Sequence, residues 1–382
     1  MVEVVLIGCE TYDYNAVKKA VEKGIHLLGG PERFAHKGER ILLKPNLLVP
    51  SRPERCVTTH PTVFKAVAEV LLTTGAILSY GDSPSLGSTA RAAKNSGLMD
   101  AAEPLNMALA DFKTGKEVYF EDGRQNRHFV IAKGVLECDG IVSLPKLKTH
   151  GLTRITGCVK NQFGCVPGFL KGEYHVKVPD ATDFARMLVD LNRFVKPRLY
   201  IMDGICGMDG NGPRSGSLKK MKVLLFSADP IALDATVCRL IDLNPEYVPT
   251  TVLGKECGMG TYLEQEIELV GDDLDEFRDR TFDVVRAPVT PYTMKGIKRF
   301  AKNRLVSKPY IVEDKCSRCG TCITMCPANP KAVNWVDGDT SRVPVHSYAN
   351  CIRCYCCQEV CPEGAIELNV PLARRFLSYF GR

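Results

Sequence analysis

Two runs of cysteine near the end of the chain are spaced for the same chemistry. The stretch "CSRCGTCITMCP" sets Cys316, Cys319, Cys322 and Cys326 in the pattern C-x2-C-x2-C-x3-C before a proline. The stretch "CIRCYCCQEVCP" repeats it with Cys351, Cys354, Cys357 and Cys361. Three closely spaced thiolates grip one face of a cubane [4Fe–4S] cluster, and the fourth, ahead of the proline, reaches the cluster of the other run. The spacing therefore predicts one cluster on Cys316, Cys319, Cys322 and Cys361, and a second on Cys351, Cys354, Cys357 and Cys326. A zinc site asks for four ligands in two spaced pairs, which neither run offers. Cys356 is an extra thiol beside Cys357 and reads as a bystander. The chain holds 17 cysteines, nine of them between Ser307 and Asn369. An odd number so distributed argues for metal or redox chemistry rather than a disulfide framework.

A second constellation lies far upstream. "LPKLKTHGLTRITGCVKNQFG", Leu144 to Gly164, gathers Lys146, Lys148, Thr149, His150, Thr153, Arg154, Thr156, Lys160 and Asn161 without one carboxylate. Lysine is a point-charge partner for phosphate or carboxylate, and the free N–H groups of a first helical turn, expected at "TGCVKNQFG", also favour anions. The expected ligand is an anionic small molecule. Lys148 and Lys160 are the candidate catalytic cations, and His150 is the candidate proton donor, since imidazole delivers protons near neutral pH. Candidate binding residues come from neighbouring motifs: Lys44 and Asn46 in "KPN", Thr59 and His60 in "TTHP", Asp82 and Ser83 in "GDSP", Lys146 and Thr149 in "LPKLKTH", Asn161 in "VKN", and Asp203 and Asn211 in "MDGICGMDGNGP". The glycines of "GMDGNGPRSG" let backbone approach a ligand. Taken singly, each lysine reads equally as solvated, His60 as a helix cap, His150 as structural, and the Gly/Asn/Asp residues as turn formers. The whole set, gathered at strand ends, points to a site. Cys158, Cys165 and Cys206 lie in these motifs in no ligand spacing.

The elements that must position these residues alternate. "VEVVLIGC", "RILLKPNLLVP", "ILSYGDSP", "DGIVSLP", "RLYIMDGICGM" and "KVLLFSADP" read as strands, and "YNAVKKAVEKGIHLLGG", "HPTVFKAVAEVLLTTGA" and "DATDFARMLVDLNRFV" as amphipathic helices. This predicts an α/β domain over 1–285 with a largely parallel sheet and helices on both faces. Ligands of such sheets bind beyond the carboxyl ends of the strands, where the polar motifs stand. A basic linker with a short helix follows over 286–306, then a small α+β two-cluster ferredoxin domain over 307–370, then a tail helix over 371–382.

The ordered set "KPNLL", "TTHP", "GDSP", "LPKLKTH", "TGCVKNQFG", "MDGICGMDGNGP" and "DPIALDA" resembles the domain of unknown function 362 family, often found fused to ferredoxin modules. The resemblance covers roughly residues 40 to 260 and implies an iron–sulfur protein of redox function. It supplies no reaction. The cysteine runs resemble those of bacterial two-cluster ferredoxins, with a small insertion after the first run.

Composition bounds the rest. A net charge of +6 over 382 residues is too weakly basic to indicate nucleic acid. No apolar run reaches the length of a membrane span, and the N-terminus reads as a first strand, so a cytoplasmic protein is expected. No dinucleotide or Walker motif is present, which leaves flavin open as a third cofactor, because its sites need no short motif. The expected function is an iron–sulfur oxidoreductase relaying low-potential electrons, exchanged with a donor or acceptor protein, to an anion in the α/β cleft. The competing expectation is a carrier whose α/β domain docks a partner enzyme through the basic linker.

Overall fold

The structure is a computed structural model, and it describes residues 1–289, 306–369 and 371. Most of the expected linker and nearly all of the expected tail helix lie outside these residues. The large body is built on a ten-stranded mixed sheet. Its strands are β1 (Val2–Gly8), β2 (Arg40–Pro45), β3 (Ile77–Tyr80), β4 (Ala108–Leu109), β7 (Gly140–Leu144), β8 (Lys146–His150), β9 (Arg154–Ile155), β10 (Leu199–Asp209), β11 (Ser217–Ser227) and β12 (Ile267–Gly271). β5 (Gly115–Tyr119) and β6 (His128–Ala132) form a separate hairpin. The order is β12-β1-β11-β10-β7-β2-β3-β4, with β8 beside β10 and β9 beside β8. β11 is antiparallel to both neighbours, and β9 to β8; the remaining pairs are parallel.

Alternation of side chains splits each strand between two cores. Val5 and Ile7 pack with the helices Tyr14–Leu27 and Pro61–Leu72, while Val4 and Leu6 pack with the helix Pro230–Leu240. β11 divides likewise, Leu224 and Phe226 to one side and Val223 and Leu225 to the other. Acceptors start the helices. Asp13 Oδ1 accepts from Ala16 N (3.0 Å), Asp180 from Thr182 N (2.8 Å) and Asp229 from Ile231 N (2.7 Å).

The small C-terminal body contains two short antiparallel strand pairs, Lys308–Ile311 with Ile366–Asn369 and Val333–Asn334 with Val345–His346. Its two cysteine runs share one backbone. Arg318 and Gly320 have φ of 57° and 70°, and their counterparts Arg353 and Tyr355 have 64° and 63°. Tyr355 does at positive φ what glycine does in the first run, a conformation that costs a non-glycine residue about 1–2 kcal/mol. Its ring offsets this by packing in the apolar core of the large body, and its hydroxyl donates to the Ser307 carbonyl (3.0 Å).

Candidate functional site

Three motifs meet at the carboxyl ends of β2, β3 and β7. Lys44 Nζ lies 2.8 Å from Asp82 Oδ1, both side chains buried. Asp82 Oδ2 also accepts from Leu47 N (2.7 Å). Gly164 passes so close that a Cβ there would stand 1.7 Å from Asp82 Oδ1, and its carbonyl accepts from Ser83 N (3.1 Å). Asn46, Thr59 and Asn161 form the next shell. The Asn46 amide nitrogen donates to Asn161 Oδ1 (3.1 Å), Asn161 Nδ2 donates to Ser143 Oγ (3.0 Å), and the Thr59 hydroxyl donates to the Leu144 carbonyl (2.6 Å).

Lys148 has no carboxylate partner here. Its Nζ donates to Asn46 Oδ1 (2.9 Å) and the Val57 carbonyl (2.7 Å). Burial, with the Lys160 and Lys146 charges nearby, pushes it down to about 7. Lys171, on the helix Leu170–Lys177, donates to Ser83 Oγ (2.9 Å), to the Pro84 carbonyl (3.2 Å) and to the Ser83 carbonyl. Burial, with Lys44 and Lys160 adding to it, takes Lys171 to about 7 as well.

The start of the helix Gly157–Asn161 does not await an outside anion. Asp234 already accepts from Cys158 N (2.6 Å) and Val159 N (3.3 Å). Gly157 turns at φ +62°, and a Cβ there would stand 2.6 Å from the Asp234 carboxylate. Burial raises Asp234 to about 7 despite these bonds.

His150 joins the two bodies. Its Nδ1 accepts from Leu152 N (3.0 Å) and Thr153 N (3.3 Å), so Nε2 carries the proton and donates to Glu359 Oε1 at 2.8 Å. Burial keeps the imidazole neutral, and both nitrogens are committed. Burial also works against the Glu359 carboxylate, but the Lys160 charge and the His150 bond outweigh it and hold Glu359 well below the usual range. Asn211 belongs to the same junction rather than to a ligand cradle. Its Nδ2 donates to the Ile366 carbonyl (3.0 Å), and Gln358 Nε2 donates to the Gly212 carbonyl (3.1 Å) and to Asn211 Oδ1. Thr149 supports that loop, accepting from Gly212 N (3.2 Å). Lys146, Asp203 and His60 stand apart, grouped around Tyr12.

A cavity of about 540 Å³ opens between the bodies. Lys160, Lys171, His175 and Glu359 line it, as do Cys326 and Cys356 of the cysteine-rich body. Phe163, Phe169, Val176, Met325, Pro327 and Val360 give it apolar walls. The Lys160 and His175 side chains are buried and make no hydrogen bond among the described residues. The Lys160 ammonium lies 6.0 Å from the Phe163 ring centroid. His175 stacks on Phe184 at 4.4 Å between centroids, and burial pushes it down to about 3. Of the cations named in the sequence, only Lys160 lines this cavity. Lys171, His175 and Glu359 were not singled out there. The one signal available was the i, i+4 spacing of Lys171 and His175 in "LKGEYHVK", which puts both on one helix face.

The donor set of the cysteine-rich body fits iron–sulfur clusters. Cys316, Cys319, Cys322 and Cys361 surround one small cavity. Burial, with the thiols of Cys354, Cys351, Cys322 and Cys326 around it, pushes the Cys357 thiol up. Amides point at sulfur, as Ala332 N donates to Cys326 and Ala365 N to Cys361, each at 3.3 Å. Cys319 is exposed, whereas Cys351, Cys354 and Cys357 are buried. Cys158, Cys165 and Cys206 stand in three separate places, beside Asp234, Gln162 and Cys56.

The model of a family described as domain of unknown function (DUF362) matches residues 41–239, and that of a 4Fe-4S dicluster domain matches residues 308–362. The thylakoid-associated protein sll1697 of Synechocystis sp. (strain ATCC 27184 / PCC 6803 / Kazusa) is 35% identical over 257 residues, 67% of this chain and 79% of that protein. A component of an ion-translocating oxidoreductase complex from Buchnera aphidicola subsp. Acyrthosiphon pisum (strain APS) is 34% identical over 71 residues, 18% of this chain and 14% of that component. Among solved structures, the lactate racemase apoprotein from Thermoanaerobacterium thermosaccharolyticum aligns with a TM-score of 0.44 and 13% identity, over 62% of this chain and 56% of that one. The dicluster domain makes this an iron–sulfur protein with a role in electron transfer. Among the described residues, no helix is long and apolar enough to cross a membrane.

Proposed function

The chain belongs to the family of the domain of unknown function 362, joined to a 4Fe-4S dicluster domain, and from that premise we propose an oxidoreductase that passes electrons to an anion held between the two. The carrying observation is that the side chains of Lys160 and His175, buried and without hydrogen bonds among the described residues, share one cavity with Cys326 and Cys356. We take the α/β body as 1–285 and the dicluster domain as 307–370. Cys316, Cys319, Cys322 and Cys361 would hold one [4Fe–4S] cluster, and Cys351, Cys354, Cys357 and Cys326 the other. Such clusters, when bound, supply electrons one at a time.

The chain's own residues do the rest. Lys160 binds the anionic head of the substrate, and the apolar walls take its body and exclude water. Among the groups lining the cavity, Lys171 suits proton delivery better than His175. Its proton is available near neutral pH, whereas His175 is already neutral there. His150 positions Glu359 and gives up the proton-donor role expected of it. Exposed Cys319 marks the face where a low-potential carrier protein docks, in a reducing compartment such as the cytoplasm. A flavin would occupy the same cavity and would show in the spectrum of the purified protein.

Native mass spectrometry of anaerobically purified protein tests this reading. A small anion should accompany the wild type and leave in Lys160→Ala, with iron content unchanged. Anaerobic, dithionite-reduced wild type should then be re-oxidised by that anion without a second protein. Re-oxidation only by a protein partner would replace this reading with that of a carrier.

A further inference from the structure

One side chain of the cysteine-rich body reaches a cysteine of the second run directly. His346 Nε2 lies 3.5 Å from the Cys357 sulfur. A thiolate bound to iron carries no proton and can only accept. With a cluster in place the imidazole is therefore the donor, and its proton sits on Nε2. Cys357 is the third thiol of its run and lies in the helix Cys356–Val360. Its counterpart in the first run, Cys322, has no side-chain donor among the described residues. Nothing in the proposed electron transfer uses His346.

The fold between the two runs mounts this imidazole. Val333–Asn334 pairs antiparallel with Val345–His346, and Val333 is the register partner of His346. Val333 packs in one apolar cluster with Cys322, Cys357 and Cys361, which sets the strand pair against both runs. Tyr348, two residues on, stacks on His346 with the ring planes 7° apart and 6.1 Å between centroids. The Tyr348 hydroxyl donates to the Pro309 carbonyl (3.0 Å), and the Lys308 and Arg353 cations stand 5.3 and 5.0 Å from its ring centroid. The tyrosine is thus fixed at its ring and at its hydroxyl, and it fixes the imidazole plane in turn.

We propose that His346 is a positioning residue which, by donating to the Cys357 sulfur, raises the reduction potential of the cluster on Cys351, Cys354, Cys357 and Cys326; this rests on the cluster assignment above. Reduction adds negative charge that spreads onto the ligand sulfurs, so a donor aimed at one of them stabilises the reduced form more than the oxidised form. Hydrogen bonds to sulfur are among the factors that set such potentials. The bond acts on the cluster that matters for the cavity, because Cys326 both belongs to that ligand set and lines the cavity wall. Cys326 accepts a second donor of the same kind, the Ala332 amide at 3.3 Å. His346 thereby helps to hold an electron beside the anion bound at Lys160.

The test is an anaerobic redox titration followed by low-temperature EPR, made in the Cys319→Ala background, which retains only this cluster. His346→Phe keeps a ring against Tyr348 and removes the donor. At the midpoint potential of the background protein, its ratio of reduced to oxidised cluster should fall about tenfold, a midpoint about 59 mV lower. His346→Gln, whose amide nitrogen takes the place of Nε2, should restore most of the difference, with equal iron content in all three proteins. An unchanged midpoint in His346→Phe with iron retained would overturn the proposal. Should His346→Phe lose its cluster, pulsed EPR of reduced wild type labelled with 15N-histidine decides. A 15N coupling to the cluster is expected, and its absence would overturn the proposal. Zinc, or a single cluster, in the anaerobic wild type would instead sink the cluster assignment itself, and the proposal with it.

Discussion

Anion binding in the cavity should take up protons, by an amount the structure sets. Lys148 and Lys171 are each buried beside other lysines and lie at about 7 rather than 10.5. At pH 7 each is therefore about half protonated. An anion beside Lys160 favours the charged form of both, so binding draws in about half a proton for each lysine, or about one in all. The sign follows from the direction of the shift. The anion binds best to the protonated lysines, so affinity is flat below about pH 6 and falls as pH rises through 7. Recharging one such lysine costs about 1.4 kcal/mol per pH unit. Affinity should thus fall up to about tenfold per unit for one lysine and about a hundredfold for both. The probe is 2-naphthoate, a carboxylate on an apolar ring that suits the walls formed by Phe163, Phe169 and Met325. Calorimetric titration at pH 7 in buffers of different ionisation enthalpy gives the proton count as a slope. The expected slope is about one proton taken up in the wild type and about half in Lys148→Met. A slope near zero, with equal affinity at pH 7 and 9, would refute the coupling of these lysines to an anion held by Lys160.

Three further outcomes are expected. Anaerobic protein should carry about eight irons and eight labile sulfides, and Cys319→Ala should lose about half of each by colorimetric assay while keeping the other cluster's spectrum. Tyr355→Gly relieves a positive φ but withdraws a ring from the core of the large body. Iron content should hold, while hydrogen exchange at the junction around Gly212 and Gln358 rises. Lys44→Met leaves the buried Asp82 carboxylate without its counter-charge, so chemical denaturation should show a loss of about 3–5 kcal/mol; Lys44→Met combined with Asp82→Asn should recover part of it.

The iron–sulfur chemistry was legible in the sequence because the cluster pattern is local. Spacing within twelve residues carries it, and the two runs repeat with matching positive φ at Arg318 and Arg353. The alternation that makes an α/β sheet was legible for the same reason, since the period of a strand or helix is set by its own residues. The antiparallel placement of β11 was not, because pairing is decided between segments far apart in the chain.

The donors of the stretch Leu144–Gly164 show where sequence runs out. Their chemistry was visible, but not their partners. Lys146 met Asp203 and Tyr12, Lys148 met Asn46, His150 met Glu359 across the junction, and of the three lysines only Lys160 stayed without a side-chain hydrogen bond among the described residues. Lys146, Lys148 and His150 stand two apart on one strand and still found different partners, and Asp234, from a helix far along the chain, reached the amides expected to hold an anion. Residue type and spacing determined which groups were able to carry charge, protons or metal. Tertiary contact decided which were neutralised by internal partners and which were left for a ligand, because a buried charge is governed by whatever lies within a few ångströms of it, whatever the separation in sequence.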